Sequence, residues 1–473
     1  MIRHRAPRAQ PSRFPVSSSN AHTTPLSSNM IATPLTTDLY QLTMMAGYFV
    51  QGRHERATAS FELFVRRLPP HRNYLIAAGA ASLVRYLERL SFSDDDIAWL
   101  RRSDALANVP NGFFDYLREF RFSGDLWAVP EGTPVFAHEP IVRITAPIAQ
   151  AQLVETAALA FVTFQTAIAS KASRIVAAAA GRPIMEFGAR RAHGLEAALF
   201  AARAAYLAGA AGTSFVEAGR RFGIPLSGTM AHSWIMSAPS EAQAFADYCR
   251  LFGERSALLL DTYDTVAAAR LVVASGLKPA AVRLDSGDLA SLSRQVRHVL
   301  DAGGLSSTQI LASGDLDEFS IAALLDAGSP IDGFGVGTRL VTSEDAPALG
   351  GVYKLVEIEE RGAARRVVKT SEGKTTWPGR KQVWRVMRGG CAVRDVVSFA
   401  DESPVADAVP LLVETMHQGR STDVDSSLEA ARDRCRRLVA ELPQAVRTVG
   451  EETPYQVDPS AAVAAAIPDE RTG

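Results

Sequence analysis

Cysteine is scarce in this chain, which has three among 473 residues: Cys249, Cys391 and Cys435. Their positions show no metal-binding spacing, and any disulfide scheme leaves one of them unpaired. A disulfide framework is therefore excluded as the organising principle of the fold. We expect a reducing, cytoplasmic location, because proteins of that compartment rarely depend on disulfides.

An excess of charge of either sign is also missing, since 50 basic and 51 acidic residues give a net charge of -1. This balance argues against a nucleic-acid-binding surface, and we predict no nucleic-acid partner. No apolar run approaches the roughly 20 residues of a membrane span, so we predict no membrane association. The most apolar stretch, Ala157 to Ala180, is interrupted by Gln165, Lys171 and Arg174, and it predicts a pair of buried helices.

Acidic residues are absent from the first 29 residues, which carry Arg3, Arg5, Arg8 and Arg13 among many Ser, Thr and Pro. Such a composition cannot bury a core, and it predicts a disordered extension over residues 1–29. Two interpretations stay open: an organelle transit peptide, or an upstream extension before a natural start at Met30. We favour the second.

Short apolar segments that end in polar clusters recur through the middle of the chain, about 25 residues apart, as expected of successive βα units. In a barrel, the loops at the carboxyl ends of the strands converge on one mouth, where the chemistry takes place. The pattern predicts an α/β barrel with its active site at that mouth. The predicted strands are Pro183–Glu186, Ile224–Leu226, Ala257–Leu260, Ala281–Leu284, Gln309–Ala312 and Ile331–Phe334.

The segment from Ala281 to Leu289 is the centre of this pattern. Its strand breaks into Asp285-Ser286-Gly287-Asp288, a set poorly suited to a core and well suited to a polyhydroxylated, metal-bound ligand. Arg283 and Asp285 are two residues apart and therefore point to the same side of the strand. A surface strand that ends in a polar turn is the alternative interpretation of this segment alone.

The flanking regions predict further domains. From Leu35 onward a helix containing Tyr40, a strand over Ala57–Leu63, an Arg-rich solvated loop over Phe64–Asn73 and more helices indicate an α+β domain. After the barrel, the basic segment Lys369–Lys381 is either a solvated hairpin loop or a phosphate contact. We assign residues 30–150 to the N-terminal α+β domain, 151–350 to the barrel, and 351–473 to a C-terminal region that packs back on the N-terminal domain.

Seven motifs follow one another along the chain: TDLYQLTM at Thr37, EFGARR at Glu186, GTMAHSW at Gly228, LDTYDT at Leu260, RLDSGD at Arg283, SGDLDE at Ser313 and GVGTRLV at Gly335. Together they carry a family resemblance that extends from about residue 36 to 385. The chain resembles nicotinate phosphoribosyltransferases, of the type II phosphoribosyltransferase fold. That resemblance implies an irregular α/β (TIM-like) barrel with an N-terminal α+β domain and a C-terminal extension. It also implies phosphoribosyl transfer from phosphoribosyl pyrophosphate to nicotinate, coupled to ATP hydrolysis and using Mg²⁺.

For the pyridine, the resemblance implies stacking on Phe187, with Arg190 nearby and Tyr40 of the partner subunit closing the other face. The active site is then shared between two chains, which predicts a homodimer. Ser214 stands where nicotinamide-using relatives carry an acidic residue, and a carboxylate there would repel the carboxylate of nicotinate. Thr229 is expected to contact nicotinate or a phosphohistidine.

Transfer at the anomeric carbon requires carboxylates near the sugar and Mg²⁺, and cations or backbone N–H groups for the phosphates. Asp261, Asp285 and Asp288 meet the first need, with Asp261 and Asp285 as metal ligands. Arg283 is suited to a phosphate or to the nicotinate carboxylate. For the 5-phosphate we expect a loop formed by Gly314, Gly337 and Thr338, although tight turns alone would also explain the glycines.

By resemblance, His232 is the histidine that ATP phosphorylates transiently. Imidazole is a good nucleophile at neutral pH, and hydrolysis of its labile N–P bond can drive the transfer forward. Two rival functions remain: a phosphoribosyltransferase for nicotinamide or quinolinate, and a non-catalytic barrel that only binds a sugar phosphate. The second would have no need of Asp285, His232 and Arg283, which are all present.

Overall fold

The computed structural model describes residues 33–369, 376–424 and 427–467. The predicted disordered extension, residues 1–29, lies outside the described residues, as do residues 370–375 of the Lys369–Lys381 segment.

Helices are distributed along the whole described chain, and the longest, α7, is rich in alanine. Their bounds are α1 Leu39–Val50, α2 Arg53–Arg56, α3 Ala80–Arg89, α4 Asp94–Arg101, α5 Asn111–Glu119, α6 Ile148–Leu153, α7 Glu155–Ala178, α8 Leu195–Leu207, α9 Val216–Phe222, α10 His232–Ser237, α11 Glu241–Phe252, α12 Thr265–Ala274, α13 Leu289–Ala302, α14 Glu318–Asp326, α15 Thr338–Val341, α16 Leu428–Ala440, α17 Gln444–Arg447 and α18 Ala461–Ala466.

The strands form four sheets. Their bounds are β1 Ala57–Val65, β2 Leu75–Ile76, β3 Asp125–Ala128, β4 Pro134–Val135, β5 Pro140–Pro147, β6 Ile184–Glu186, β7 Gly212–Thr213, β8 Ala257–Leu259, β9 Ala281–Leu284, β10 Gln309–Ala312, β11 Gly333–Val336, β12 Gly351–Glu360, β13 Ala363–Arg366, β14 Lys381–Arg388, β15 Cys391–Phe399, β16 Ala408–Pro410, β17 Val413–His417, β18 Arg420–Ser421 and β19 Val457–Pro459.

The largest sheet combines strands from both ends of the chain in the order β13-β12-β1-β5-β3-β17-β18. Strand β1 pairs antiparallel with β5 on one side and with β12 on the other. Eight of its nine residues are buried, and α6 packs against it. Met45, Leu83, Phe113 and Tyr353 belong to the apolar core that surrounds this sheet.

The second sheet is parallel and has the strand order β7-β6-β11-β10-β9-β8. Its strands are short and apolar, as expected when helices cover a parallel sheet. The strand predicted over Ile224–Leu226 is reduced to one parallel bridge between Thr213 and Leu226. The described pairings leave this sheet open, so the observed architecture is a mixed α/β fold with a parallel half-barrel.

The C-terminal residues complete a four-stranded sheet, β16-β14-β15-β19, to which β19 is added in parallel. Lys381, at the end of the basic segment, is buried with its Nζ 2.7 Å from Glu62 Oε2 of β1. Arg380 Nε lies 2.8 Å from Glu357 Oε1. Both cations are therefore paired with carboxylates of the largest sheet.

The stretch predicted as two buried helices is the single helix α7, and this correction has an electrostatic reason. Lys171 and Arg174 are buried but do not interrupt the helix, because Lys171 Nζ lies 2.7 Å and Arg174 Nη2 2.8 Å from the carboxylate of Glu318. No helix within the described ranges is both long and apolar enough to span a bilayer.

Arg72 corrects the prediction of a wholly solvated loop over Phe64–Asn73. Its side chain is fully buried and makes a bidentate contact with Asp345, at 3.2 Å from Nε and 2.9 Å from Nη2. Asp345 also lies 2.9 Å from Lys171 Nζ. These charges form one buried cluster, which joins the loop after β1 to α7 and to the segment after α15.

Candidate active site

The guanidinium group of Arg283, near the carboxyl end of β9, connects the ends of β9 and β10 with the segment that follows the bridge at Leu226. Its Nε donates to Ser313 Oγ at 2.7 Å, its Nη1 to Thr229 Oγ1 at 2.8 Å and its Nη2 to Asp285 Oδ1 at 2.7 Å. The polar clusters predicted after separate strands therefore meet around one arginine.

The carboxylate of Asp285 is held in a fixed orientation. Its Oδ1 accepts hydrogen bonds from Arg283 and from Ser313 Oγ, and its Oδ2 lies 3.9 Å from His232 Nε2. Partial burial alone would raise the pKa of Asp285, but the hydrogen bonds from Ser313 and Arg283, with the nearby positive charge, lower it overall. The group is therefore an anion at neutral pH.

Asp261, which follows β8, contributes a second carboxylate to the same place. Its Oδ2 accepts from the Asp285 backbone N–H at 3.1 Å and from Ser286 Oγ at 2.5 Å. Its Oδ1 is buried and has no hydrogen-bond partner among the described residues. A buried, unsatisfied carboxylate oxygen next to a second carboxylate suits a hard cation such as Mg²⁺.

His232 is the first residue of α10, and its side chain is 42% exposed. Its Nδ1 lies 3.1 Å from Thr262 Oγ1, which orients the ring, while Nε2 faces Asp285. One ring nitrogen is thus anchored to the protein, and the other is directed toward the carboxylates.

Two glycines allow the loops of the site to approach each other. Gly314 has φ +101°, and a Cβ at this position would lie 2.1 Å from the backbone oxygen of Asp285. Gly335 faces the ring of Phe187, and a Cβ there would lie 2.5 Å from a ring carbon. Gly337 and Thr338 follow at the start of the short helix α15.

One face of the predicted pyridine site is the ring of Phe187, in the turn that follows β6. The ring centroid of Phe187 lies 5.9 Å from Arg283 Cζ. Arg190, in a one-turn helix over Ala189–Arg191, is exposed and makes no hydrogen bond or ion pair with any described residue. Ser214 is also exposed, and its backbone N–H donates to the carbonyl of Glu186 at 2.9 Å.

Two predicted site residues lie apart from this cluster. Tyr40 is 47% exposed on α1, and no contact among the described residues joins it to Phe187. Asp288 caps α13 by accepting from the Ser291 backbone N–H at 3.0 Å. A capping role explains Asp288 locally, and its contact with phosphoribosyl pyrophosphate stays a prediction.

Some residues that complete the site were not assigned a role from the sequence. All of them follow the predicted strands or lie next to predicted residues, so their position at the strand ends could be predicted, whereas their contacts with one another depend on tertiary pairing. They are Glu186, Thr213, Thr262, Ser286 and Ser313.

Comparisons with known proteins agree with this geometry. The model of the nicotinate phosphoribosyltransferase N-terminal domain matches residues 35–163, and the model of the nicotinate phosphoribosyltransferase family matches residues 183–376. A nicotinate phosphoribosyltransferase of Mycobacterium tuberculosis is 46% identical over 428 residues, which is 89% of this chain and 90% of that protein. One of Bacillus subtilis is 44% identical over 75% of this chain and 73% of its own length.

The crystal structure of human nicotinic acid phosphoribosyltransferase superposes with a TM-score of 0.79 at 28% identity, covering 91% of this chain and 98% of the human one. The similarity in sequence and the similarity in fold both extend over most of the chain. Both agree with the cluster of polar residues at the ends of the parallel strands. The chain belongs to the nicotinate phosphoribosyltransferase family.

Proposed function

We propose that this protein transfers the 5-phosphoribosyl group of phosphoribosyl pyrophosphate to nicotinate, giving nicotinate mononucleotide and pyrophosphate in NAD salvage. The observation that carries the proposal is the convergence of Arg283, Asp285, Asp261 and His232 at the strand ends of a family member. In the reaction, the bond from the anomeric carbon to the pyrophosphate oxygen breaks, and a bond to the pyridine nitrogen forms.

The developing positive charge on the ribose is matched by the Asp285 anion, which Arg283 and Ser313 hold in place. Asp261 and Asp285 are the residues that would hold Mg²⁺, and the unsatisfied Oδ1 of Asp261 supports this assignment. Bound Mg²⁺ would supply positive charge against the leaving pyrophosphate. Arg283 also presents positive charge to a phosphate or to the nicotinate carboxylate.

For the remaining contacts we propose the assignments that the sequence predicts. The 5-phosphate lies against backbone N–H groups near Gly314, Gly337 and Thr338, and Asp288 contacts the ribose side. Nicotinate stacks on Phe187, with its carboxylate toward Arg190. Thr229 lies between Arg283 and the nicotinate or the phosphorylated histidine.

Substrate choice follows from Ser214, which offers a hydroxyl where an acidic residue would repel nicotinate. A coupled assay of pyrophosphate release, with nicotinate, nicotinamide or quinolinate and with or without ATP, tests this proposal. We expect release with nicotinate and stimulation by ATP. Preference for the amide or for quinolinate would assign the chain to a different pyridine substrate, and no release with any of them would leave only a binding role.

We further propose that ATP drives the reaction through His232. The Nε2 of His232 attacks the γ-phosphorus, the bond to the bridging oxygen breaks and ADP leaves; water later cleaves the N–P bond. The exposed Nε2 and the anchored Nδ1 support this role. His232→Ala should remove ATP hydrolysis and ATP stimulation but keep slow transfer, as measured by ADP and nicotinate mononucleotide formed per turnover. A variant that ATP still stimulates would contradict this role.

A homodimer with shared active sites is the proposal that accounts for Tyr40. The exposed face of α1 carries Tyr40 and Met44, one turn apart and 47% and 38% exposed, which suits burial against a second copy. Mixing inactive Tyr40→Ala and Asp285→Asn chains should restore about a quarter of wild-type activity, since mixed dimers regain one intact site. No recovery after subunit exchange would contradict the shared site.

The parallel half-barrel is, in our proposal, the wall of an irregular α/β barrel. We keep the proposed domains at residues 30–150, 151–350 and 351–473, and the cytoplasmic location. Circular permutants opened at these boundaries test the division, because they should fold only where few contacts cross the cut.

A further inference from the structure

Glu186, the last residue of β6, is a buried carboxylate whose contacts differ from those of most other buried acids. It is 1% exposed and has no cationic partner among the residues that the structure describes. In contrast, Glu62, Glu131 and Glu318 are each paired with Lys or Arg. A carboxylate buried without a counter-ion is costly, so its retention calls for a specific role.

Both oxygens of this carboxylate are used, and each goes to a different turn. Oε1 accepts from the Gly188 backbone N–H at 2.5 Å, and Oε2 accepts from Thr213 Oγ1 at 2.5 Å. Gly188 belongs to the turn that presents Phe187, whereas Thr213 ends the neighbouring strand β7. The side chain therefore connects two adjacent strand ends of the parallel sheet.

Glu186 and Thr213 also hold the turn after β7, which carries Ser214. Because the Thr213 hydroxyl donates to Glu186, its lone pairs are free to accept from the Phe215 backbone N–H, at 3.0 Å. The Ser214 backbone N–H donates to the Glu186 carbonyl at 2.9 Å. Glu186 thus determines where Ser214 lies relative to Phe187.

The chemistry of a carboxylate suits this arrangement. It only accepts hydrogen bonds, so the Gly188 N–H and the Thr213 O–H must both point toward it. A glutamine would direct an N–H toward Thr213 and disturb the orientation of the hydroxyl. Burial raises the pKa of Glu186, and the hydrogen bonds from Thr213 and Gly188 lower it, with a net rise.

We propose that Glu186 is a positioning residue for the pyridine substrate, which locks the turn of Phe187 to the turn of Ser214. This inference rests on the proposed function and deepens it, since it identifies what sets the geometry of nicotinate selection. Glu186 itself touches no reacting atom.

The experiment compares Glu186→Gln, Thr213→Val and the double variant, because the two single changes remove the same hydrogen bond from opposite ends. Each single variant should raise the KM for nicotinate about tenfold, while the KM for phosphoribosyl pyrophosphate and kcat change less than about twofold. The double variant should raise the nicotinate KM no further than the more impaired of the two single variants does.

Thr145→Val is the matched control, because Thr145 Oγ1 bonds to Ser60 Oγ at 2.8 Å within the largest sheet. It should leave every kinetic constant unchanged. Thr213→Val keeps the side-chain shape and carries the test if Glu186→Gln does not fold. An unchanged nicotinate KM in folded variants, or losses that multiply in the double variant, would overturn this inference alone. Absence of nicotinate turnover in the wild-type chain would overturn the proposed function, and the inference with it.

Discussion

Gly314 shows how one residue controls the spacing of two loops in the site. Its φ of +101° favours glycine, and its missing side chain lets the loop after β10 contact the backbone of Asp285. Any Cβ would push against the Asp285 oxygen, a backbone atom that cannot move independently. The position of the Asp285 carboxylate therefore depends on the absence of a methyl group one strand away.

Gly314→Ala should lower kcat/KM by at least about 100-fold, because a displacement of about 1 Å at a reacting site has that order of effect. Gly304→Ala is the matched control: Gly304 has φ +74°, and a Cβ added there would meet nothing within 4 Å. The control should lose about 1 kcal/mol of stability and keep its kinetics. Steady-state kinetics and thermal unfolding separate the two effects, and equal kinetics in both variants would contradict the argument.

At the scale of elements, the cluster around Asp345 attaches α7 to α14 and to the segment after α15. Partial burial would raise the pKa of Asp345, but the hydrogen bonds and charges of Arg72 and Lys171 lower it to about 2. A carboxyl group whose pKa is depressed in the folded state stabilises the fold above its ordinary pKa. Its contribution is lost as the pH falls from 3.8 toward about 2.

Asp345→Asn should therefore lower the free energy of unfolding at neutral pH and flatten its dependence on pH between about 4 and 2. Urea unfolding at several pH values measures both effects. Asp401→Asn, at a 73% exposed carboxylate 3.4 Å from Arg366, is the control and should change stability by less than about 0.5 kcal/mol. If the free energy of unfolding of Asp345→Asn still fell between about pH 4 and 2 as it does in the wild type, Asp345 would not be the group responsible.

The elements also show what the sequence can and cannot predict. The bounds of Ala281–Leu284 and Gln309–Ala312 are confirmed, because each is a short, mainly apolar strand followed directly by Asp, Ser or Gly. The prediction of two helices across α7 was wrong, because polar residues inside an apolar run suggest a break unless their partners are known. Those partners, Glu318 and Asp345, are more than 140 residues away in the sequence.

The same limit applies to the site. Arg283 and Asp285 were predicted to lie on one side of a strand, and their contact is confirmed at 2.7 Å. Glu186 received no role, because only the pairing of β6 with β7 brings Thr213 to it. The local sequence pattern therefore predicts which residues lie at the strand ends, and tertiary pairing determines which of them contact each other.

At the scale of the whole molecule, the buried pair of Lys381 and Glu62 connects the C-terminal hairpin to the strand that begins the fold. Burial lowers the pKa of Lys381, and the carboxylate of Glu62 opposes this effect. The ammonium group also donates to the carbonyl oxygens of Trp377 and Gly379, at 2.7 and 2.8 Å. The pair therefore organises the turn before β14 as well.

Lys381→Met should destabilise the protein by about 3–5 kcal/mol, because it leaves the buried Glu62 carboxylate without the cation that pairs with it. Chemical denaturation measures this loss. Lys278→Met, at an exposed lysine between α12 and β9, is the matched control and should cost less than about 0.5 kcal/mol. A small effect at Lys381 would contradict the contribution of this ion pair to stability.

The order of the largest sheet determines when the chain can fold during its synthesis. Residues Ala57–Val65 pair on one side with Gly351–Glu360, which a ribosome adds almost 300 residues later. Until then, the growing polypeptide carries a long apolar strand with one row of backbone amides and carbonyls unmatched, the kind of template on which nascent chains aggregate. Folding of this protein during translation should therefore depend on holdase chaperones far more than folding of a protein whose strands pair with the next strand in the sequence.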